Sequence, residues 1–200
     1  MVINSSIQMI IGIIVSYLIG SVSSAILICH IFRLPDPRTQ GSKNPGATNV
    51  LRFGGKKAAF LTLLGDVLKG VIPVLIGKAF GFDSLSLSLM ALAAFLGHLY
   101  PIFFRFEGGK GVATAFGCIV ALSWPAGIML ALIWLMIAGI FRYSSLAALV
   151  AAISAPFIVW YFSNNTYVFS IALMSIFLIY RHKKNIKNLM TQQEKKIGKK

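Results

Sequence analysis

Long apolar runs separated by short polar segments dominate the pattern along the chain. The runs cover residues 7–32, 58–77, 85–104, 112–141, 146–162 and 166–180. A helix rises about 1.5 Å per residue, so about 20 residues cross the hydrocarbon core of a bilayer. The first run lacks a basic leading region and is too long for a cleaved signal peptide, so it is predicted to be a retained span. The pattern predicts an all-α integral membrane protein.

The run 112–141 can be interpreted as one long kinked helix or as two short helices, because Ser123-Trp124-Pro125 interrupts it. The amino terminus carries no Lys or Arg, which favours an outer location. A single crossing by 112–141 would then place the eight cations of segment 181–200 outside, whereas two crossings place them inside. The charge distribution therefore predicts seven transmembrane helices, with the amino terminus out and the carboxyl terminus in. The short helices around 112–141 would have about 11 and 17 residues. The first is too short to cross alone unless the bilayer thins or the loop before it dips into the membrane.

Composition narrows the class of protein further. The chain is 57% hydrophobic and 12% charged, with 19 basic and 5 acidic residues and a net charge of +14. A soluble domain carries about 25% charged residues, so a soluble globule, a disordered protein and a nucleic-acid-binding domain are excluded. In the seven-helix arrangement 17 of the 19 cations are cytoplasmic, the exceptions being Lys69 and Lys78. We expect one membrane-embedded domain over 1–200, with 181–200 as a basic cytoplasmic tail.

The first polar cluster has the sequence GSKNPGATNVLR over 41–52, with no acidic residue. Glycine allows backbone N–H groups to approach a ligand, and the guanidinium of Arg52 can bind phosphate oxygens in pairs. A basic loop that serves only topology or anionic lipid is the alternative. That alternative needs only cations, so the dense mixture of Gly, Asn and Thr favours an anion-binding loop.

The second cluster is Gly108-Gly109-Lys110-Gly111, directly before the apolar run that begins at 112. Backbone amides at a helix N-terminus favour an anion, and Lys110 adds a point charge. The spacing is not that of a Walker A loop. In isolation a flexible turn would be favoured, but the position between two spans, on the face of the first cluster, favours a phosphate site.

The third cluster is the segment 181–185, Arg-His-Lys-Lys-Asn, at the inner end of the last run. His182 and Asn185 share one face if the helix continues through them. Lys183 and Lys184 are typical of a charge run that stops transfer. Ser145, on the same side of the membrane, lies in a Ser-Ser pair that by itself is typical of a helix N-cap.

Ionisable residues also occur inside the apolar runs. Asp66 and Lys69 are three residues apart and can pair on a helix, while His98 lies near the end of its run. Intramembrane ions are functional candidates, and a structural ion pair is the alternative. The dispersed histidines and the isolated Cys29 and Cys118 predict no metal site and no disulfide framework.

The motifs GSKNPGATNVLR, HLYPIFFRFEGGKGVATAFG and YRHKKNI resemble those of the bacterial membrane glycerol-3-phosphate acyltransferases that use acyl phosphate. The resemblance implies acyl transfer from acyl phosphate to the sn-1 hydroxyl of glycerol 3-phosphate. The products would be lysophosphatidic acid and phosphate, in an early step of phospholipid synthesis. It also implies seven spans, no cofactor, and an active site at the cytoplasmic face of the bacterial inner membrane. The implied partners are the two substrates, membrane lipid and the soluble enzyme that makes acyl phosphate.

The resemblance also assigns residues. The implied catalytic residues are Ser42, Arg52, Lys110 and His182. The implied substrate- or phosphate-binding residues are Asn44, Thr48, Asn49, Gly108, Gly109, Gly111, Ser145 and Asn185, with Asn44 and Asn49 shaping the first loop. Either His182 or a substrate phosphate accepts the hydroxyl proton. The phosphate is slightly favoured because no His–carboxylate pair is evident.

Two positions depart from the family pattern. Lys43 stands where a glycine is usual, and Glu107 stands where a basic residue is usual. A carboxylate facing the site would repel phosphate, so Glu107 is predicted to point to solvent. Two other classes of function remain open at this level, an anion transporter and a non-catalytic scaffold for lipid enzymes.

Overall fold

The computed structural model describes residues 5–198, which are helical apart from turns and loops. The helices are α1 (Ser5–Gly20), α2 (Ser24–Ile31), α3 (Ala47–Ala79), α4 (Ser84–Leu99), α5 (Val112–Leu122), α6 (Trp124–Phe141), α7 (Ser144–Phe162), α8 (Asn165–Arg181) and α9 (Lys183–Met190). A 3₁₀ turn, Ile102–Phe104, follows α4. Lys199 and Lys200, counted above with the basic tail, lie outside the described residues.

Several helices have the length and composition of membrane spans. Within residues 5–198, four segments qualify: Ala47–Ala79, Ser84–Phe104, Trp124–Phe141 and Ser144–Phe162. The pair α1 and α2 forms a fifth if it is one bent span. Helices α5 and α8 are apolar but shorter, with 11 and 17 residues. The predicted all-α architecture is therefore observed.

The first apolar run, 7–32, is not a single helix. It breaks between Gly20 and Ser24, and the two parts are bent by 41°. A break inside a membrane leaves backbone carbonyls that need a donor. The Lys69 ammonium, from the middle of α3, donates to the Val22 carbonyl at 2.8 Å and meets this need.

The break predicted within 112–141 is confirmed. Only Ser123 separates α5 from α6, and Pro125 is the second residue of α6. Proline is tolerated there because N–H groups in the first turn have no partner within the helix. At the end of α5, the Lys78 ammonium donates to the Leu122 carbonyl at 3.2 Å.

Helix α5 runs parallel to α3 and begins deep within the bundle. The Thr114 hydroxyl, near the start of α5, donates to the Asp66 carbonyl at 2.9 Å, while Leu122 reaches Lys78. Gly55, at φ 81°, kinks α3, and Asp66 follows it by 11 residues, or about 16 Å of helix. The loop before α5 therefore dips into the bundle, which explains why this helix is short.

Four polar segments meet at one end of the bundle, which we call the polar end: 33–46, 105–111, 142–145 and 182–198. The first two are joined by Arg38 and Glu107, whose Nη1 and Oε2 atoms are 3.0 Å apart. Lys110 bonds to Asn185, and the Ile197 N–H donates to the Arg142 carbonyl at 2.7 Å. Below this end, α4, α5, α7 and α8 enclose a core around the buried Phe95 and Leu99.

Candidate active site

The glycine-rich loop is held from two sides. Arg181 donates to the Gly108 carbonyl at 2.6 Å and to the Gly109 carbonyl at 3.1 Å. Opposite, the Gly109 N–H donates to the His98 carbonyl at 3.2 Å. A side chain has no space here, since a Cβ on Gly108 would lie 2.1 Å from the His98 carbonyl oxygen. The loop therefore needs glycine at this position, because its backbone lies directly against the His98 carbonyl.

The loop also presents free donors. Gly111 has φ 87°, a left-handed conformation that favours glycine, and precedes the first residue of α5. Within the described part of the chain, the N–H groups of residues 110–113 have no hydrogen-bond acceptor. The Gly109 carbonyl faces Arg181, so the planar peptide turns the Lys110 N–H away from that guanidinium. Free N–H groups at a helix N-terminus form a site for an anion.

Lys110 carries the charge of this loop. Its ammonium donates to the Asn185 side-chain oxygen, and the residue is half-buried. Burial lowers the pKa of Lys110 to about 8; Glu194 opposes this shift and the nearby Arg52 adds to it. Lys110 remains a cation at neutral pH. The charge of Arg52 therefore acts on the Lys110 ammonium.

His182 lies between α8 and α9, where the chain bends. The prediction that His182 and Asn185 share one helix face requires a helix that continues through both residues. The helix is instead interrupted at His182, because α8 ends at Arg181 and α9 begins at Lys183. The Nδ1 atom lies 2.8 Å from the Leu178 carbonyl, so this nitrogen carries the proton and Nε2 is the acceptor in the neutral ring. Burial and the charge of Lys110 lower the pKa of His182 to about 4. The imidazole is neutral at pH 7.

Glu194, which the sequence analysis did not single out, joins the predicted residues. Its Oε1 atom accepts from the Ser145 hydroxyl and from the Asn185 amide, both at 2.7 Å. The segment after α9 turns back and pairs with Arg142, which brings the carboxylate to this place. The signal in the sequence is its isolation, as the one acid among the eight cations of 181–200. The supposed cap role of Ser145 is wrong, because Tyr143 occupies the N-cap of α7.

Asn49 organises the first loop. Its side chain accepts from the Ser42 N–H and donates to the carbonyls of Pro37 and Gln40, each at 2.9 Å. Both amide hydrogens are used, so the contacts fit the loop-shaping role. The segment 41–52 is not loop throughout, because α3 begins at Ala47.

The other predicted residues of this segment lie nearby. Ser42, Thr48 and Arg52 are exposed, and Asn44 is half-buried. Their side chains are therefore accessible at the polar end. Lys43 has φ 57°, a left-handed conformation that suits the glycine usual at this position.

Glu107 points to solvent, as predicted. Its side chain is 64% exposed and pairs with Arg38, which also binds Asp36 at 2.7 Å. The Arg38 guanidinium holds the pKa of Asp36 below its ordinary value.

A cavity of about 350 Å³ opens between the first two loops and Arg181. Within residues 5–198 no group of three or more His, Cys, Asp or Glu side chains is placed to hold a metal ion.

Comparison with known proteins places this arrangement in one family. The family profile described as glycerol-3-phosphate acyltransferase matches residues 10–192. The glycerol-3-phosphate acyltransferase of Methylococcus capsulatus is 52% identical over 184 residues, covering 92% of this chain and 93% of that protein. The corresponding protein of Burkholderia orbicola is 52% identical over 195 residues, covering 96% of this chain and 94% of its own length.

Solved structures agree with the sequence comparison. PlsY, an integral membrane glycerol 3-phosphate acyltransferase, has been crystallised in a glycerol 3-phosphate form. That structure has a TM-score of 0.89 and 42% identity, with 96% of both chains covered. A lysophosphatidic acid form has a TM-score of 0.87 and 41% identity, also with 96% of both chains covered. The chain has the all-helical integral membrane fold of these proteins and belongs to the glycerol-3-phosphate acyltransferase family.

Proposed function

We propose that the chain transfers an acyl group from acyl phosphate to the sn-1 hydroxyl of glycerol 3-phosphate, releasing lysophosphatidic acid and inorganic phosphate. One observation carries this proposal: Lys110, on a turn of free N–H groups, shares the polar end with a neutral imidazole, a hydroxyl and an amide. The solved relatives hold glycerol 3-phosphate and lysophosphatidic acid, which are a substrate and a product of such a reaction.

The binding roles follow from chemistry. Lys110, Arg52 and the N–H groups of 110–113 bind the phosphate groups of the two substrates, with Ser42, Asn44 and Thr48 bordering them. Ser145 and Asn185 supply a hydroxyl and an amide beside Lys110, which suits the glycerol hydroxyls. Lys110 and Arg52 offset the repulsion between the two anionic headgroups, so that the reacting atoms are held close together.

The reaction requires no covalent enzyme intermediate. The sn-1 hydroxyl oxygen attacks the acyl carbonyl carbon, and the bond from that carbon to the phosphate oxygen breaks. The hydroxyl proton passes to a phosphate oxygen of a substrate or to Nε2 of His182. We favour the phosphate, because a group with a pKa of about 4 is a weak base at neutral pH. The neutral His182 then orients the hydroxyl through Nε2.

The proposal includes seven crossings, with the bent pair α1–α2 counted once and the short α5 and α8 included. The dip of the loop before α5 supports a crossing by an 11-residue helix. The amino terminus is outside and the active site faces the cytoplasm of a bacterial inner membrane. Residues 1–200 then form a single domain, whose basic cytoplasmic face meets anionic lipid and the soluble enzyme that supplies acyl phosphate.

The test is an assay of the purified chain in liposomes with palmitoyl phosphate and radiolabelled glycerol 3-phosphate. We expect labelled lysophosphatidic acid and an equal amount of phosphate, and no product with acyl-CoA in place of palmitoyl phosphate. Absence of product with palmitoyl phosphate would refute the proposal.

Lys110→Met should lower kcat/KM by about 10²-fold or more, as for the loss of one strong charge-stabilising donor. A His182→Asn variant with wild-type turnover at saturating substrate would exclude His182 as the base.

A further inference from the structure

A charged cluster lies inside the bundle, beneath the glycine-rich loop. The Asp66 Oδ1 atom is 2.9 Å from the Lys69 ammonium and 3.6 Å from Nδ1 of His98. All three side chains are buried, with at most 6% of their surface exposed. None of the three has a role in the reaction proposed above.

The cluster contacts the loop directly. His98 accepts a hydrogen bond from the Gly109 N–H through its carbonyl, and its ring lies against Gly109. A Cβ on Gly109 would come within 2.2 Å of Nε2 of His98. The backbone of Asp66 also contacts the helix that follows the loop, since its main-chain carbonyl accepts from the Thr114 hydroxyl at 2.9 Å. The loop before Lys110 thus rests on His98, whose ring lies near the Asp66 carboxylate, and the helix after it contacts the backbone of Asp66 itself.

Lys69 extends the same cluster to the break between α1 and α2, where it donates to the Val22 carbonyl. An ammonium and a carboxylate inside a membrane are costly, and replacing a buried ion pair by apolar residues is often neutral or stabilising. Stability alone therefore does not account for these charges. Their contacts connect the break between α1 and α2 with α3, α4 and α5.

We propose that Asp66, Lys69 and His98 form a positioning network that fixes the Gly108–Lys110 loop, and with it the Lys110 ammonium, for acyl transfer. The catalytic consequence rests on the proposed function. The network acts through the loop, because the His98 ring lies against Gly109. Removing it should loosen the loop and displace Lys110, while the fold persists.

The first test measures the loop itself by hydrogen–deuterium exchange of the full chain in detergent. The variants are His98→Leu and the double variant Asp66→Asn/Lys69→Met, which removes both charges together. We expect exchange of the hydrogen-bonded amides of Phe106, Glu107 and Gly109 to rise about tenfold or more, with residues 165–178 in α8 unchanged. The control is Ser88→Ala, which breaks a buried 2.8 Å hydrogen bond to Ser170 at the other end of α4. Unchanged exchange at Phe106, Glu107 and Gly109 in both variants would overturn the proposal.

The second test measures kcat/KM for glycerol 3-phosphate together with the melting temperature. Both variants should lose about 10- to 100-fold in kcat/KM, as expected when a catalytic group is misplaced by about 1 Å. His98→Asn, which keeps a polar group beside Asp66, should recover most of the loss. A loss of kcat/KM that is fully explained by a lower melting temperature would contradict a positioning role. If the wild type makes no lysophosphatidic acid, the proposed function fails, while the exchange experiment still decides whether the network holds the loop.

Discussion

At the residue scale, one ammonium determines the expected pH dependence. Lys110 has a pKa lowered to about 8, so its charge is present below that value and lost as the pH rises through it. The substrate phosphate is fully ionised well below this range, since its pKa is about 6. We therefore expect kcat/KM for glycerol 3-phosphate to fall about tenfold per unit above pH 8. Initial rates between pH 7 and 10 at constant ionic strength measure this, and a flat profile to pH 9.5 would exclude it.

Glu194 offers a sharper form of the same test. Its carboxylate raises the pKa of Lys110 against the effect of burial. Glu194→Gln keeps the shape and a hydrogen-bonding group beside Ser145 but removes the charge, so the fall in kcat/KM should move to lower pH. The matched control is Glu107→Gln, which removes an exposed carboxylate that pairs with Arg38 instead. A shift of equal size in both variants would show that net charge, not this contact, sets the pKa.

The sequence predicted a set of candidate site residues, but not the contacts that support them. A phosphate site at Lys110 and its glycines could be predicted because backbone approach and charge are local properties. Glu194 was missed because its contact with Ser145 spans 49 positions and depends on the turn after α9. The interaction of His98 with the loop was missed for a related reason, since it depends on how the chain folds back after α4.

At the element scale, the contact between α3 and α5 depends on missing side chains. A Cβ on Gly117 would lie 2.2 Å from the Val67 carbonyl oxygen, so the two helices would have to separate. Because α5 follows directly from Gly111, this separation should displace the loop. Gly117→Ala is expected to lower both the melting temperature and kcat/KM. Gly139→Ala in α6 is the control, since nothing lies within 4 Å of its Cβ position. Alanine favours a helix over glycine by about 1 kcal/mol, so a loss in the control equal to that in Gly117→Ala would disprove the packing argument.

Helix breaks differed in how well the sequence marked them. The break at Ser123 was predictable, because proline and the charge distribution both indicate it. The break after Gly20 was not, because the residues on either side are equally apolar and the compensating donor, Lys69, is 47 positions away. Hydropathy reports burial in lipid and carries no information on which distant side chain replaces a lost backbone bond.

At the scale of the whole molecule, the chain gathers its polar chemistry by returning repeatedly to one end of an apolar bundle. Lys110 and Asn185 are 75 positions apart, and Arg38 and Glu107 are 69 apart. This return requires the helices between them to alternate in direction. The charge count and the site geometry therefore constrain the same quantity, the number of crossings between the polar segments.

That constraint gives a labelling prediction in intact bacterial cells. The native Cys29 and Cys118 are buried and are first replaced by alanine. Phe80→Cys, at a position that is 79% exposed after α3, should then react with a membrane-impermeant maleimide. Lys187→Cys, on the exposed side of α9, should react only after the cells are permeabilised. The control is full labelling of both variants in permeabilised cells, together with retained activity. Labelling of both positions in intact cells would mean that 112–141 crosses once. Labelling of position 187 alone would invert the orientation and place the phosphate-binding residues on the outer face, away from cytoplasmic acyl phosphate.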